Sequence, residues 1–472
     1  MVKNGGYTAD SRRKAIDSIS RKVISGIKPT PEDIELQVRY SNDVMGRLRK
    51  ALPKAVEIVL AGSTARGTQL RGTSDIDIFL LFPLGTKKEL MEKRAIAAAK
   101  SIVRRHKNES FVLKYAEHPY LRLYLNDFGI KADIVPAFKI SDSSEMGTAV
   151  DRTQLHNKFI ASRLTESQKD EVRVLKYFLK QHSIYGAEAK TEGFSGYLCE
   201  LLISHYGSFA DFIGAASSLK LPLAVDVAGG KEYGPDGEAV KAAVKKFGKS
   251  FVVIDPTDKD RNVAANVSDE SLSRLVLAAS KLHSRPVVGN FYAGGHSDAY
   301  PARQLLALRK GLGIDIYAVS FKVDDIAEDI VWQQLKKLKG RFGKALSDRN
   351  FHALLSLQSL EGKDGIIAFF MNPSVVNAVR VDGPSAMMAL PAAAFMKSHG
   401  RDNDLFLEGD RLFSVEKAGS ATAGELMANL LRQKGGLAFP SHISRKGAKV
   451  SRNIFSGKHA AMIYRAYAES RL

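Results

Sequence analysis

Along the first 150 residues, apolar positions switch between helical and strand spacing. Thr30 ahead of Pro31, with Glu32 and Asp33 in the first turn, marks a helix start, and Ile34, Val38, Met45 and Leu48 carry that helix to about Leu52. A short strand follows at 56–60, then a Gly-Ser turn, then an apolar strand at 75–82 closed by Pro83. A helix centred on 97–104 leads to a third strand at 130–135. From 151 to about 282 the spacing reads as mostly helical: Val172, Leu175 and Leu179 form one stripe, Leu198, Leu201 and Leu202 another, and 229–237 reads as a loop. The Gly-rich stretch 289–295 reads as a boundary, beyond which strands are expected at 314–321 and 365–370 and a helix at 325–338. The expected organisation is an α/β head at 1–150, a helical central domain at 151–288 and a basic α/β C-terminal body and tail at 289–472.

Length and composition fit this division. A chain of 472 residues with 44% hydrophobic and 26% charged residues has enough apolar surface for two or three folding units and is not a disordered polymer. The longest apolar run, 386–396, includes Pro391 and is about half of what a membrane span requires. No apolar stretch of signal-peptide type follows Arg12, Arg13 and Lys14, and Cys199 is the only cysteine, so a cytoplasmic protein that does not engage a membrane is expected. Charge adds more: 70 basic against 51 acidic side chains leave +19, and residues 432–472 carry nine of the basic side chains against the single acid Glu469. A polyanionic partner is expected, with this segment facing phosphates.

The densest candidate chemistry lies between Val56 and Phe82. Gly62-Ser63-Thr64-Ala65-Arg66 is followed by Gly72-Thr73-Ser74-Asp75-Ile76-Asp77. Because side chains alternate along a strand, Asp75 and Asp77 share one face while Ile76 and Ile78 pack on the other. Two carboxylates aimed at one place repel each other unless a cation joins them, and oxygen ligands of this kind suit Mg²⁺. Gly62 lets backbone amides approach a phosphate, Ser63 opens a short helix, and Arg66 lies one turn on.

With these parts in this order, the chain resembles the polymerase-β-like nucleotidyltransferase superfamily, whose signature is Gly-Ser, a short helix and Asp-x-Asp. That superfamily carries a third carboxylate on a neighbouring strand, for which Asp133, a lone acid in an apolar strand, is the candidate. Further blocks narrow the resemblance to the archaeal, class I CCA-adding tRNA nucleotidyltransferases: Ala149-Val-Asp-Arg-Thr-Gln-Leu-His156, Leu175-Lys-Tyr-Phe-Leu-Lys180, Ile184-Tyr-Gly-Ala-Glu188, Gly193-Phe-Ser-Gly-Tyr-Leu-Cys-Glu-Leu-Leu202 and Asp255-Pro-Thr-Asp-Lys-Asp-Arg-Asn-Val-Ala-Ala265. The resemblance is close over 56–265 and looser in the tail.

It implies template-independent addition of CCA to tRNA 3′ ends from CTP and ATP by two-metal nucleotidyl transfer, with release of pyrophosphate. Asp75, Asp77 and Asp133 would hold Mg²⁺. Ser63, Arg66, Thr153, His156, Lys176 and Tyr185 would contact the nucleotide's phosphates, and Arg261 would hydrogen-bond C or A. On their own chemistry, Thr153 can cap a helix that presents His156, and Lys176 beside an apolar stripe needs an anion to meet. A poly(A) polymerase or another RNA terminal nucleotidyltransferase, and a catalytically silent RNA-binding protein, stay open as alternatives. Oligomeric state is also open, a homodimer included.

Overall fold

The computed structural model describes residues 8–73, 75–104, 107–115, 119–293, 300–400, 404–433, 436–454 and 456–471. Residues 1–295 form one compact unit and residues 296–471 a second.

In the first unit, Thr8 caps α1 (Ala9–Ile27), whose Ile16, Ile19, Val23 and Ile27 line one buried stripe. The next helix, α2 (Pro31–Ala51), starts where its punctuation predicts. Thr30 Oγ1 accepts from the Asp33 amide while the Asp33 carboxylate accepts from the Thr30 amide. Then come β1 (Glu57–Ala61), the single turn α3 (Gly62–Arg66), β2 (Asp75–Phe82) and α4 (Lys88–Ser101), the last centred earlier than expected. A hairpin that the hydrophobic pattern does not announce, β3 (Glu109–Tyr115) and β4 (Pro119–Leu125), precedes β5 (Ile130–Phe138). The strands lie in the order β1-β2-β5-β4-β3, with β2 and β5 parallel and the other pairs antiparallel. As alternation requires, Ile76, Ile78 and Leu80 pack with Val44, Leu48 and Met91 on one face, while Phe79 and Leu81 pack with Ala61 and Ala137 on the other.

The same unit continues through α5 (Thr153–Arg163), α6 (Glu166–Gln181), α7 (Gly196–Tyr206) and α8 (Phe209–Ser217). It is less helical beyond that point than expected. Strands β6 (Leu223–Asp226) and β7 (Lys231–Tyr233), helix α9 (Glu238–Phe247), strands β8 (Phe251–Asp255) and β9 (Asp258–Asn262), then α10 (Asp269–Ser284), give a sheet in the order β7-β6-β8-β9. Runs as short as Leu223-Ala-Val and Phe251-Val-Val-Ile do not separate strand from helix by periodicity. The expected loop at 229–237 contains β7. The stripes on α6 and α7 share a core with α8, α10 and the buried face of α1. The expected boundary at 289–295 holds a 3₁₀ turn at Val288–Asn290 and the buried Phe291, and its last two residues lie outside the described set.

The second unit starts with α11 (Pro301–Leu312), β10 (Asp315–Lys322) and α12 (Glu328–Ser347), followed by β11 (Ala353–Glu361), β12 (Asp364–Met371) and β13 (Ala378–Ser385). It continues with α13 (Ala389–His399), β14 (Leu405–Glu408), β15 (Arg411–Lys417), α14 (Ala423–Arg432), β16 (Lys449–Arg452) and α15 (Gly457–Ser470). Its sheets run β11-β12-β10-β16 and β13-β15-β14. The basic segment is built into this unit: β16 pairs with β10, and Ile463 and Tyr464 of α15 are buried. Several of its cations serve internal partners. Arg445 donates to the carbonyls of Leu430, Leu431 and Gln433; Arg452 and Lys458 pair with Asp315 and Asp364 at 2.6 and 2.9 Å. Lys446 and Lys449 are exposed. Among the described residues no helix is long and apolar enough to cross a membrane.

Two outcomes are expected. Glu109 accepts a fork from Arg47 at 2.9 and 3.1 Å and a bond from the Arg104 amide at 2.7 Å, tying α2 to β3. Glu109→Ala removes the buried fork and leaves Arg47 only the more exposed Asp43 at 3.0 Å, so it should cost about 3 kcal/mol, read as a lower melting temperature, whereas an unchanged melt would show the pair to be dispensable. If the basic segment holds a polyanion, Lys446→Glu with Lys449→Glu should flatten the salt dependence of RNA binding without unfolding the protein.

Candidate active site

Register builds the carboxylate cluster. Asp77 on β2 lies opposite Asp133 on the parallel β5, and Asp75 is two residues back on the same face. Asp77 is pushed up to about 6 by burial first and then by the negative charges of Asp133 and Asp75, with Arg66 and Arg122 acting in the opposite sense. Asp133 is held by Arg122 of β4, which sits opposite it in register and donates Nε–H to Oδ1 at 2.7 Å and Nη2–H to Oδ2 at 2.6 Å. Among the described residues no three or more acidic, histidine or cysteine side chains are arranged close enough to hold a metal ion between them. The donor set nevertheless fits a divalent cation. It is all oxygen, and a cation would offset the charges of Asp133 and Asp75 that help to raise Asp77.

The turn before β2 is shaped around Asp77. Gly62 has φ +67°, and a Cβ there would lie 1.9 Å from Asp77 Oδ2, so only glycine lets the start of α3 approach the carboxylate. Ser63 follows as the second residue of that turn, half-buried, and its carbonyl accepts from the Thr68 amide at 3.0 Å. Thr64 Oγ1 bonds the Asp75 carbonyl at 3.0 Å, fixing α3 to the start of β2.

Two buried acids, neither singled out by the sequence, collect most of the remaining candidates. Glu200 of α7 is fully buried; Arg66 Nε lies 2.8 Å from its Oε2, Lys176 Nζ 3.4 Å from its Oε1, and Thr68 Oγ1 donates to Oε1 at 2.5 Å. Burial works against the Glu200 charge, but Lys176, Arg66 and Thr68 outweigh it and hold the carboxyl below its usual range. Burial pulls Lys176 down, with Glu200 opposing. The anion this lysine meets is therefore internal. Tyr185 bridges to Phe194, and a Cβ at Gly196 would come within 3.2 Å of its hydroxyl and 3.5 Å of Lys176 Nζ, so the two side chains end over the same residue.

Asp255, at the end of β8, is the second acid. Its Oδ2 accepts from His156 Nε2 at 3.0 Å and Arg261 Nη1 at 2.7 Å; its Oδ1 accepts from Tyr197 Oη, the Thr257 amide and Thr257 Oγ1. Burial alone would raise Asp255, but these donors hold it well below the carboxylate range. His156 stacks on Tyr197 with ring centroids 3.7 Å apart, and burial lowers its pKa while Asp255 opposes the shift. Thr153 is the first residue of α5, one turn before His156, and makes no capping bond there. Arg66 joins the groups: Nη1 bonds Asn157, next to His156 on α5, at 2.6 Å, and its charge acts on both Asp77 and His156.

Gly-Ser, a one-turn helix, Asp-x-Asp and an in-register acid on the adjacent parallel strand define the polymerase-β-like nucleotidyltransferase fold, here in a multidomain chain of mixed α and β structure. Residues 44–156 match the nucleotidyltransferase domain, 170–292 the second domain of tRNA nucleotidyltransferase, and 312–452 the C-terminal domain of the CCA-adding enzyme. The CCA-adding enzyme of Methanocaldococcus jannaschii is 30% identical over 454 residues, covering 94% of this chain and 97% of its own. That of Archaeoglobus fulgidus is 35% identical over 342 residues, 72% of each chain, and that of Methanoregula boonei 37% identical over 334 residues, 70% of this chain and 68% of its own. The chain belongs to the CCA-adding enzymes of archaeal type.

Gly62 supplies the local test. Gly62→Ala introduces a positive-φ strain and drives a methyl into the Asp77 carboxylate, so turnover should fall about a hundredfold or more while the protein stays folded. Near-normal turnover would mean that α3 need not approach Asp77.

Proposed function

We propose that this chain adds cytidine and adenosine monophosphates to the 3′ end of tRNA, using CTP and ATP without a nucleic-acid template and releasing pyrophosphate. The observation that carries the reading is the register of Asp77 with Asp133, Asp75 beside them, near the cations Arg66 and Arg261 and the His156 imidazole. The relatives' shared name supports CCA addition over poly(A) synthesis or a silent RNA-binding role.

Asp75, Asp77 and Asp133 would hold divalent cations, Mg²⁺ being the natural choice for an all-oxygen set that also meets a triphosphate. When bound, such ions neutralise triphosphate charge and make the attacking hydroxyl more acidic. The protein's share is binding and orientation. Ser63 on the α3 turn, with Arg66, would face the phosphates; Thr153 and His156 on the first turn of α5, with Tyr185, would complete the phosphate side, and Lys176 would act from behind them. Lys176 reaches an anion only by sharing itself with Glu200, so its contribution is chiefly to fix Arg66 through their common carboxylate. Arg261, anchored at one nitrogen by Asp255, keeps donors for the edge of C or A. The 3′ hydroxyl of the tRNA attacks the α-phosphorus of the incoming nucleotide, and the bond to pyrophosphate breaks.

The deciding experiment supplies CTP and ATP, singly and together, to tRNA ending at its discriminator base. Expected are addition of C residues with CTP alone and a completed CCA only with both; long A tracts from ATP alone would favour a poly(A) polymerase, and no incorporation a silent binder. Asp→Ala at position 75, 77 or 133 should slow incorporation by roughly 10² to 10⁴ with tRNA binding retained, since metal stabilisation supplies several kcal/mol at 1.4 kcal/mol per tenfold. Arg261→Ala should raise UTP and GTP use relative to CTP and ATP; a uniform loss for all four would reassign Arg261 to phosphate or packing.

A further inference from the structure

Arg122 is absent from the sequence motifs, yet its guanidinium fork covers both oxygens of Asp133, at 2.7 and 2.6 Å. It reaches Asp133 from β4, the strand beyond the carboxylate pair, because Arg122 and Asp133 are directly opposed in register. The side chain is about a quarter exposed, at 27%, against 15% for Asp133, so the arginine is the more exposed member of the pair. Asp133 thereby has a bidentate partner before any metal arrives. Asp77 and Asp75 have no such fork among the described contacts.

We infer that Arg122 is an internal counter-ion that competes with the divalent cation for Asp133, so that the cation completes its ligand set only when the guanidinium gives up its fork. The inference rests on the reading of Asp75, Asp77 and Asp133 as the cation-holding carboxylates. The physical reason is like-charge repulsion. An ion ligated by Asp133 would lie only a carboxylate's width from a fixed positive charge, and one hydrogen bond to an oxygen shared with that ion returns less than the repulsion takes. Arg122 can yield because one side of it faces water. Once released, its donors stand at the edge of the same site, open to an anion. A triphosphate that arrives with its cation brings one. The arrangement therefore disfavours cation binding alone and favours cation and nucleotide together, which makes Arg122 a positioning residue acting through Asp133.

The test titrates the full-length chain, without nucleotide, with Mn²⁺ alone and follows free Mn²⁺ by electron paramagnetic resonance. Arg122→Met should tighten Mn²⁺ binding about tenfold or more, the scale of one charge-assisted bonding interaction removed from competition. Arg122→Lys, which keeps the charge but not the fork, should fall between wild type and Arg122→Met; if the methionine variant does not fold, Arg122→Gln takes its place. Unchanged or weaker Mn²⁺ binding in the folded variants, with wild-type binding still abolished by Asp77→Asn, would overturn the inference and make Arg122 a support that orients Asp133 as a ligand. Wild-type and Asp77→Asn proteins that bind Mn²⁺ equally would overturn the metal reading itself, and this inference with it.

Discussion

The pairing of β2 with β5 is the constraint on which the active site depends. Side chains alternate with a period of two, so a one-residue slip of β5 would carry Asp133 from the face of Asp75 and Asp77 into the apolar core. The register is held from both sides of the sheet. Ile76 and Ile78 pack with Ala132 and Ile134 on the helix-covered face, while Phe79 and Leu81 meet Ala137 on the other. The apolar residues thus pin a polar arrangement that opposes itself. Three like charges in one place are unfavourable, and the strand pairing holds them there whether or not a cation is present. Arg122 offsets one of them, and burial, together with the charges of Asp133 and Asp75, pushes the Asp77 carboxyl up to about 6.

Much of the fold was legible wherever a local signal had a single meaning. Thr30-Pro31 marked the start of α2, and β2 runs over the residues expected of it, because a cap and an apolar strand bounded by Pro83 leave little choice. α1 went unread although Ile16, Ile19, Val23 and Ile27 are spaced for it. Its polar residues dominate, and its partners, on α6, α8 and α10, lie more than a hundred residues away. The β6 to β9 sheet was hidden for a different reason: runs of three or four apolar residues are consistent with either element, and their pairing is decided by tertiary contact.

The candidate site divides the same way. Residues that resemble motifs could be named, and those that act on the motif residues could not. Glu200 and Asp255 stand inside quoted blocks, and an acid amid Gly-Tyr-Leu-Cys-Glu-Leu-Leu was a usable signal, since a carboxylate on an apolar helix face requires a cation. A lysine beside an apolar stripe calls for an anion, and the one that Lys176 finds is 24 residues on in sequence and 3.4 Å away in space. Arg122 gave no local signal at all. An arginine in an alternating strand is an ordinary exposed residue until the register of β4 against β5 places it opposite Asp133.

The two buried acids leave the cations they hold in different states. Glu200 is given two basic partners, Arg66 at 2.8 Å and Lys176 at 3.4 Å, and the Arg66 charge also acts on Asp77. Asp255 has one guanidinium partner, Arg261 at 2.7 Å, and burial lowers the pKa of the His156 imidazole beside it, so the Asp255–Arg261 pair by itself is without net charge. A net positive group attracts any phosphate, whatever base is attached. A neutralised, anchored guanidinium with donors left over has little general pull on phosphate but a fixed orientation, which suits the discrimination of one base edge from another. On the proposed reading, a split between phosphate binding at Arg66 and base reading at Arg261 would follow from how many cations each buried acid is given, although both are arginines within the same unit.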